Sequence, residues 1–68
     1  GALGNRMKAA RAERGLTQAD LAATVGVSRK TINTVENYVF TPSALLALKI
    51  AQALGKPFDE VFFLDEDR

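Results

Sequence analysis

Ser28-Arg29-Lys30-Thr31 is the stretch of this sequence that offers most to another molecule. A serine ahead of a helix accepts a hydrogen bond from an amide of the first turn. Ser28 therefore caps a helix that Arg29, Lys30 and Thr31 open. Two cations and a hydroxyl then stand at the positive end of a helix dipole, where an anion is favoured and where side chains would enter a DNA groove first. Catalytic chemistry, by contrast, lacks its usual residues. The 68 residues hold no cysteine and no histidine, which removes thiol nucleophiles, disulfides and the commonest metal ligands. The carboxylates cluster in surface or tail segments without a base or nucleophile beside them, so neither enzymatic activity nor a cofactor is expected.

The elements that must position those residues are legible around them. Leu21, Val25, Val27, Ile32 and Val35 are spaced as two short amphipathic helices within 18–37, joined by a tight turn at Gly26, where glycine takes a positive φ without steric cost. Thr17 is placed to cap the first of them through the Asp20 amide while the Asp20 carboxylate reaches back to the Thr17 amide. Ala22 falls on the inner face, where a small side chain lets two helix backbones approach.

Gln18, Leu21-Ala22, Val25-Gly26-Val27-Ser28, Ile32, Val35 and Glu36-Asn37, preceded by Arg11 and Gly15-Leu16-Thr17, resemble the helix-turn-helix of the phage repressor and Cro class, the Xre family. The likeness continues through Thr41-Pro42-Ser43 and 48–55, nearly the whole chain. It implies an all-α, five-helix, lambda-repressor-like fold in a single domain spanning 1–68. The implied function is sequence-specific binding of double-stranded DNA by a transcriptional regulator, a repressor acting as a homodimer on a palindromic operator. Under the resemblance, Arg29, Lys30 and Thr34 match positions that face base edges, with Thr31 and Asn33 as secondary readers. Gln18, Ser28 and Asn37 match positions that hold phosphates through side chain or backbone amide. Arg11 and Glu36 match a largely buried structural ion pair between the first and third helices. The family more often has a larger aliphatic at Ala10, and a glycine followed by a cation at Tyr38-Val39. Tyr38 therefore either accepts a strained φ or the loop takes another path, and its hydroxyl either donates to a phosphate or the side chain simply packs. Two alternatives stay open: an antitoxin that represses its own operon, and a protein-interaction adaptor that has lost DNA binding.

Composition sets the frame. A chain of this length sits near the lower limit at which a core alone supports folding, so a dimer would add stability. Net charge is only +1, but it is divided. Residues 1–31 carry six cations against two carboxylates, and residues 32–68 carry three against six, a dipole of +4 and −3. The cationic half suits a polyanion. No apolar run approaches a membrane span and no leader is visible at the start, so a cytoplasmic, nucleoid-associated protein with no membrane or small-molecule partner is expected.

Along the chain, Gly1 and Ala2 have no initiator methionine ahead of them and are expected to play no role. The first helix is expected over 5–14, capped by Asn5, with Leu3, Met7 and Ala10 inward and Gly15 ending it. Phe40 is expected to plug the core. Thr41-Pro42-Ser43 starts the fourth helix, with proline in its first turn, and Gly55 stops it. Its apolar residues Leu45, Leu48, Ile50, Ala51 and Leu54 form a stripe too wide for one small core, so part of it would meet a second subunit. A fifth helix runs from Pro57 or Phe58 to Phe62, with Phe58 and Val61 as inward anchors. The tail 63–68 puts Phe63 and Leu64 beside charges: either two tails pair across a twofold axis, or these side chains fold back on their own domain.

Overall fold

The structure, a computed structural model, describes residues 1–67, so Arg68 of the tail lies outside it. The chain forms strand β1 (Ala2–Asn5), helices α1 (Met7–Arg14), α2 (Gln18–Val25), α3 (Arg29–Glu36), α4 (Ala44–Leu54) and α5 (Phe58–Val61), and strand β2 (Phe62–Asp65). The five helices enclose one core in which Met7, Leu21, Ile32, Ile50, Leu54 and Val61 are wholly buried. Helices α2 and α3 contribute the apolar faces that their spacing implied, through Leu21, Val25, Ile32 and Val35.

The ends of the chain carry what periodicity did not. β1 and β2 pair antiparallel, with Leu3 opposite Leu64 and Gly4 opposite Phe63. The Arg6 amide extends the ladder by donating to the Val61 carbonyl at 2.8 Å. Ala2 thus has a place in the fold, contrary to the expectation for it. The strand partner of the tail is the chain's own N-terminal segment, and Phe63 lies half-buried over Gly4, where an added Cβ would collide with the phenyl ring. The Arg6 guanidinium caps that ring at 4.4 Å from its centroid.

Three helix boundaries differ from the sequence reading for local reasons. Asn5 ends β1 and does not belong to α1. Its Oδ1 accepts from the Met7 amide at 3.1 Å, as a cap would, but its Nδ2 donates to the Val35 carbonyl at 3.1 Å, which ties the strand to α3. Pro42 precedes the cap of α4, and Ser43 is the cap, accepting from the Leu46 amide at 3.1 Å. Helix α5 stops at Val61, so Phe62 turns inward on an extended backbone and Phe58 is left at the surface. Phe62 is 2% exposed and Phe58 40%, their rings 5.2 Å apart. Phe40 is likewise 49% exposed and does not plug the core.

In α4, Ile50, Ala51 and Leu54 are buried, whereas Leu45 and Leu48 face outward. Replacement of Phe62 by alanine is expected to lower the unfolding free energy by about 3–5 kcal/mol, and replacement of Phe58 by much less, measured by urea denaturation of each variant.

Candidate nucleic-acid interface

Helix α3 leaves the turn at Gly26 (φ 80°) and Ser28, whose extended backbone (φ −76°, ψ 156°) lets its Oγ accept from the Thr31 amide at 3.1 Å. The Thr17 and Asp20 side chains close both halves of a capping box at the start of α2, each at 3.0 Å. Donation to the Asp20 carboxylate from the Thr17 amide, and secondarily from the Thr17 hydroxyl, holds this carboxyl below its ordinary pKa. Both helices joined by the turn at Gly26 therefore have capped starts, at Thr17 and at Ser28.

Arg29 and Lys30 are exposed at the opening of α3, and among the described residues neither belongs to an ion pair. The other side chains of this face are engaged with the protein itself. Thr31 Oγ1 lies 3.0 Å from Ser28 Oγ, and Thr34 Oγ1 donates to the Thr31 carbonyl at 2.9 Å. Asn33 Nδ2 donates to Gln18 Oε1 at 3.4 Å, and Asn37 Nδ2 donates to the Asn33 carbonyl at 2.9 Å. Of the five residues matched to base edges, Arg29 and Lys30 are the two whose side chains make no hydrogen bond or ion pair among the described residues.

The other end of α3 is anchored. Glu36 receives Arg11 Nε on Oε2 at 2.7 Å and Arg11 Nη2 on Oε1 at 3.0 Å, a two-pronged pair between α3 and α1. Gln18 Nε2 adds a third bond to Oε1 at 3.2 Å, and Arg11 Nη1 donates to the Leu16 carbonyl at 3.0 Å. The side chains of Arg11 and Glu36 are 12% and 7% exposed. The hydrogen bonds that Arg11 donates to Glu36 raise its pKa further above its ordinary value, so the guanidinium stays charged. Gln18, matched to a phosphate contact, thus has both ends of its side chain occupied. Its backbone amide, in the first turn of α2, is the group left to face outward.

A helix-turn-helix family model (HTH_3) matches residues 7–61, from the first residue of α1 to the last of α5. The chain belongs to this helix-turn-helix family. It is 43% identical over 63 residues to the HTH-type transcriptional regulator YgzD of Bacillus subtilis, covering 93% of this chain and 96% of the relative. Identity reaches 50% over 58 residues with an HTH-type transcriptional regulator of Methanothermobacter thermautotrophicus, covering 84% of each. Among solved structures, the restriction-modification controller protein C.AhdI of Aeromonas hydrophila superposes with a TM-score of 0.76 and 33% identity, over 81% of this chain and 80% of that one. The protein is a transcriptional regulator with a helix-turn-helix DNA-binding domain, and its family is one of DNA-binding regulators and not of enzymes. Among the described residues no helix is long and apolar enough to cross a membrane.

The loop after α3 takes a defined path at Tyr38-Val39, where the resemblance implied a glycine followed by a cation. Tyr38 takes a left-handed backbone (φ 66°), its amide donating to the Val35 carbonyl at 3.2 Å and the Val39 amide to the Thr34 carbonyl at 2.9 Å. This is the bond pattern that glycine closes at Gly15 and Gly55, formed here by a tyrosine. A non-glycine residue in this region costs about 1–2 kcal/mol. The turn therefore persists because the hydrogen bonds around it over-determine the path. The Phe40 amide also donates to the Thr34 carbonyl, at 3.1 Å, and brings Val39 and Phe40 beside α3. Sequence reasoning did not foresee that placement, although the missing glycine was its signal.

Replacing Glu36 by alanine leaves the Arg11 guanidinium largely buried with one carbonyl partner. The loss expected is about 3–5 kcal/mol of stability, read as a fall in the chemical-denaturation midpoint without a change in slope.

Proposed function

We propose that the protein represses transcription by binding a palindromic operator as a homodimer, with the opening of α3 in the major groove of each half-site. The observation that carries this reading is the polarity of α3 itself: one end bonded into α1 and α2 through Glu36, the other exposed with two unpaired cations. Arg29 and Lys30 are the base readers, suited to guanine O6 and N7. Thr31, Asn33 and Thr34 meet base edges as part of the same face. The amides of Gln18 and Ser28, the Asn37 side chain and the Tyr38 hydroxyl hold phosphates, which sets register and carries no sequence information.

Size argues for two copies. The Cα atoms extend over 29 × 21 × 20 Å, short of the 34–36 Å between successive major grooves on one side of a duplex. A single α3 reads only a few base pairs, each good contact giving about 1–3 kcal/mol of discrimination. Exposed Leu64, Leu45 and Leu48 supply apolar surface for the second copy. Phe63, already half-covered by Gly4 and Arg6, contributes less than Leu64. Occupation of an operator that overlaps a promoter excludes polymerase, and binding of chromosomal DNA places the protein at the nucleoid. The likeness to the restriction-modification controller protein C.AhdI is consistent with such a role.

The test is selection of bound duplexes from a random pool, followed by salt titration of the selected operator. A twofold-symmetric site is expected, with affinity falling as salt rises. Arg29→Ala should cost about 1–3 kcal/mol and relax selectivity at one position in each half-site. Uniform weakening across all sequences would refute base reading by Arg29.

A further inference from the structure

Beside the opening of α3 lies a cleft of about 360 Å³ lined by Lys30, Thr31, Thr34, Val39 and Phe40. Its walls are unusual for a surface that faces a polyanion. Val39 is 76% exposed, and the Phe40 ring stands next to it, half in solvent. The Thr34 hydroxyl hydrogen is committed to the Thr31 carbonyl, the Thr31 and Ser28 hydroxyls are hydrogen-bonded to each other, and both threonines line the cleft. Among the described residues, Lys30 is the one charged residue on the rim. The loop is not loose there: the Val39 and Phe40 amides both bond the Thr34 carbonyl, which fixes the apolar wall to the helix.

Resting on the reading of α3 as a major-groove helix, we infer that this cleft is a thymine-methyl pocket, and that Val39 and Phe40 determine sequence specificity together with Thr34. The major-groove edge of a base pair carries one apolar group, the C5 methyl of thymine, beside the O4 acceptor. A wall of valine, phenyl and threonine side chains accommodates the first, and the Lys30 ammonium on the rim donates to the second or to the neighbouring base. Continuity with the α3 face and the cationic rim select DNA as the occupant over an apolar peptide. The pocket distinguishes thymine from cytosine by the C5 methyl group, independently of any donation from Lys30 to O4.

Deoxyuridine differs from thymidine by that methyl alone. In the selected operator, each thymine is replaced in turn by deoxyuridine and the dissociation constant measured for the unaltered protein, Val39→Ser and Phe40→Ser. At one thymine per half-site the unaltered protein should lose about fourfold in affinity, the effect of one buried methyl-sized group. Val39→Ser should abolish that difference while the folded far-ultraviolet spectrum is retained. Phe40→Ser serves as the second variant should Val39→Ser unfold. Equal affinity for thymidine and deoxyuridine at every position overturns the pocket and leaves operator binding standing, as does a difference that persists in both variants. Failure to select any operator removes the reading on which the pocket rests.

Discussion

The Glu36 carboxylate takes both prongs of Arg11 and the amide of Gln18, and through them fixes the far end of α3 to α1, to the start of α2 and to the carbonyl of Leu16. A domain this small has little core with which to hold a helix at a set angle. An ion pair that is nearly out of solvent adds modest net stability, because desolvation opposes the attraction, but it is stringent about geometry. It makes wrong packings of α3 expensive. The helix that presents Arg29 and Lys30 is thereby oriented from its opposite end, while the presenting end is stiffened by Ser28 and by the short turn at Gly26.

Local signals carried most of the helical frame into the sequence. The Thr17 and Asp20 reciprocal cap, the Ser28 cap and the glycine turns each depend on residues within a few positions of one another, so their chemistry can be read directly from spacing. The pairing of β1 with β2 joins residues about sixty positions apart, and strands of four residues have too little periodicity to announce themselves. Phe58 and Phe62 illustrate a different limit. Lying four apart, they share a face if the helix continues, and the choice of which enters the core depends on its stopping at Val61. Asn5 bonds both the next helix and a carbonyl thirty residues away, and only the near half of that role is visible in sequence.

The exposed position of Arg29 and Lys30 was legible in the sequence, and the hydrogen bonds that the neutral residues of α3 make within the protein were not. Arg29 and Lys30 stand at the helix opening because of the cap ahead of them. Thr34 and Asn33 look like polar readers in sequence and Gln18 like a phosphate contact, yet the structure engages Thr34 with the backbone, Asn33 with Gln18, and Gln18 with Glu36. Hydrogen bonds within the protein thus convert part of a nominally polar face into a shaped, partly apolar one. The left-handed Tyr38 completes that shape by returning the chain along α3, at a backbone cost that glycine would have spared. Polarity at one end of the helix and apolar relief at the other side of it together define a surface with a direction.

The account depends on the opening of α3 being the part of the molecule that meets DNA. Titration of uniformly 15N-labelled protein with its selected operator, followed by amide shifts in heteronuclear NMR, tests this residue by residue. The largest changes are expected at residues 28–34 and at 39–40, with α5 and the strand pair little affected by DNA itself. Changes confined to α4, α5 and the two strands, with residues 28–34 unmoved, would contradict it.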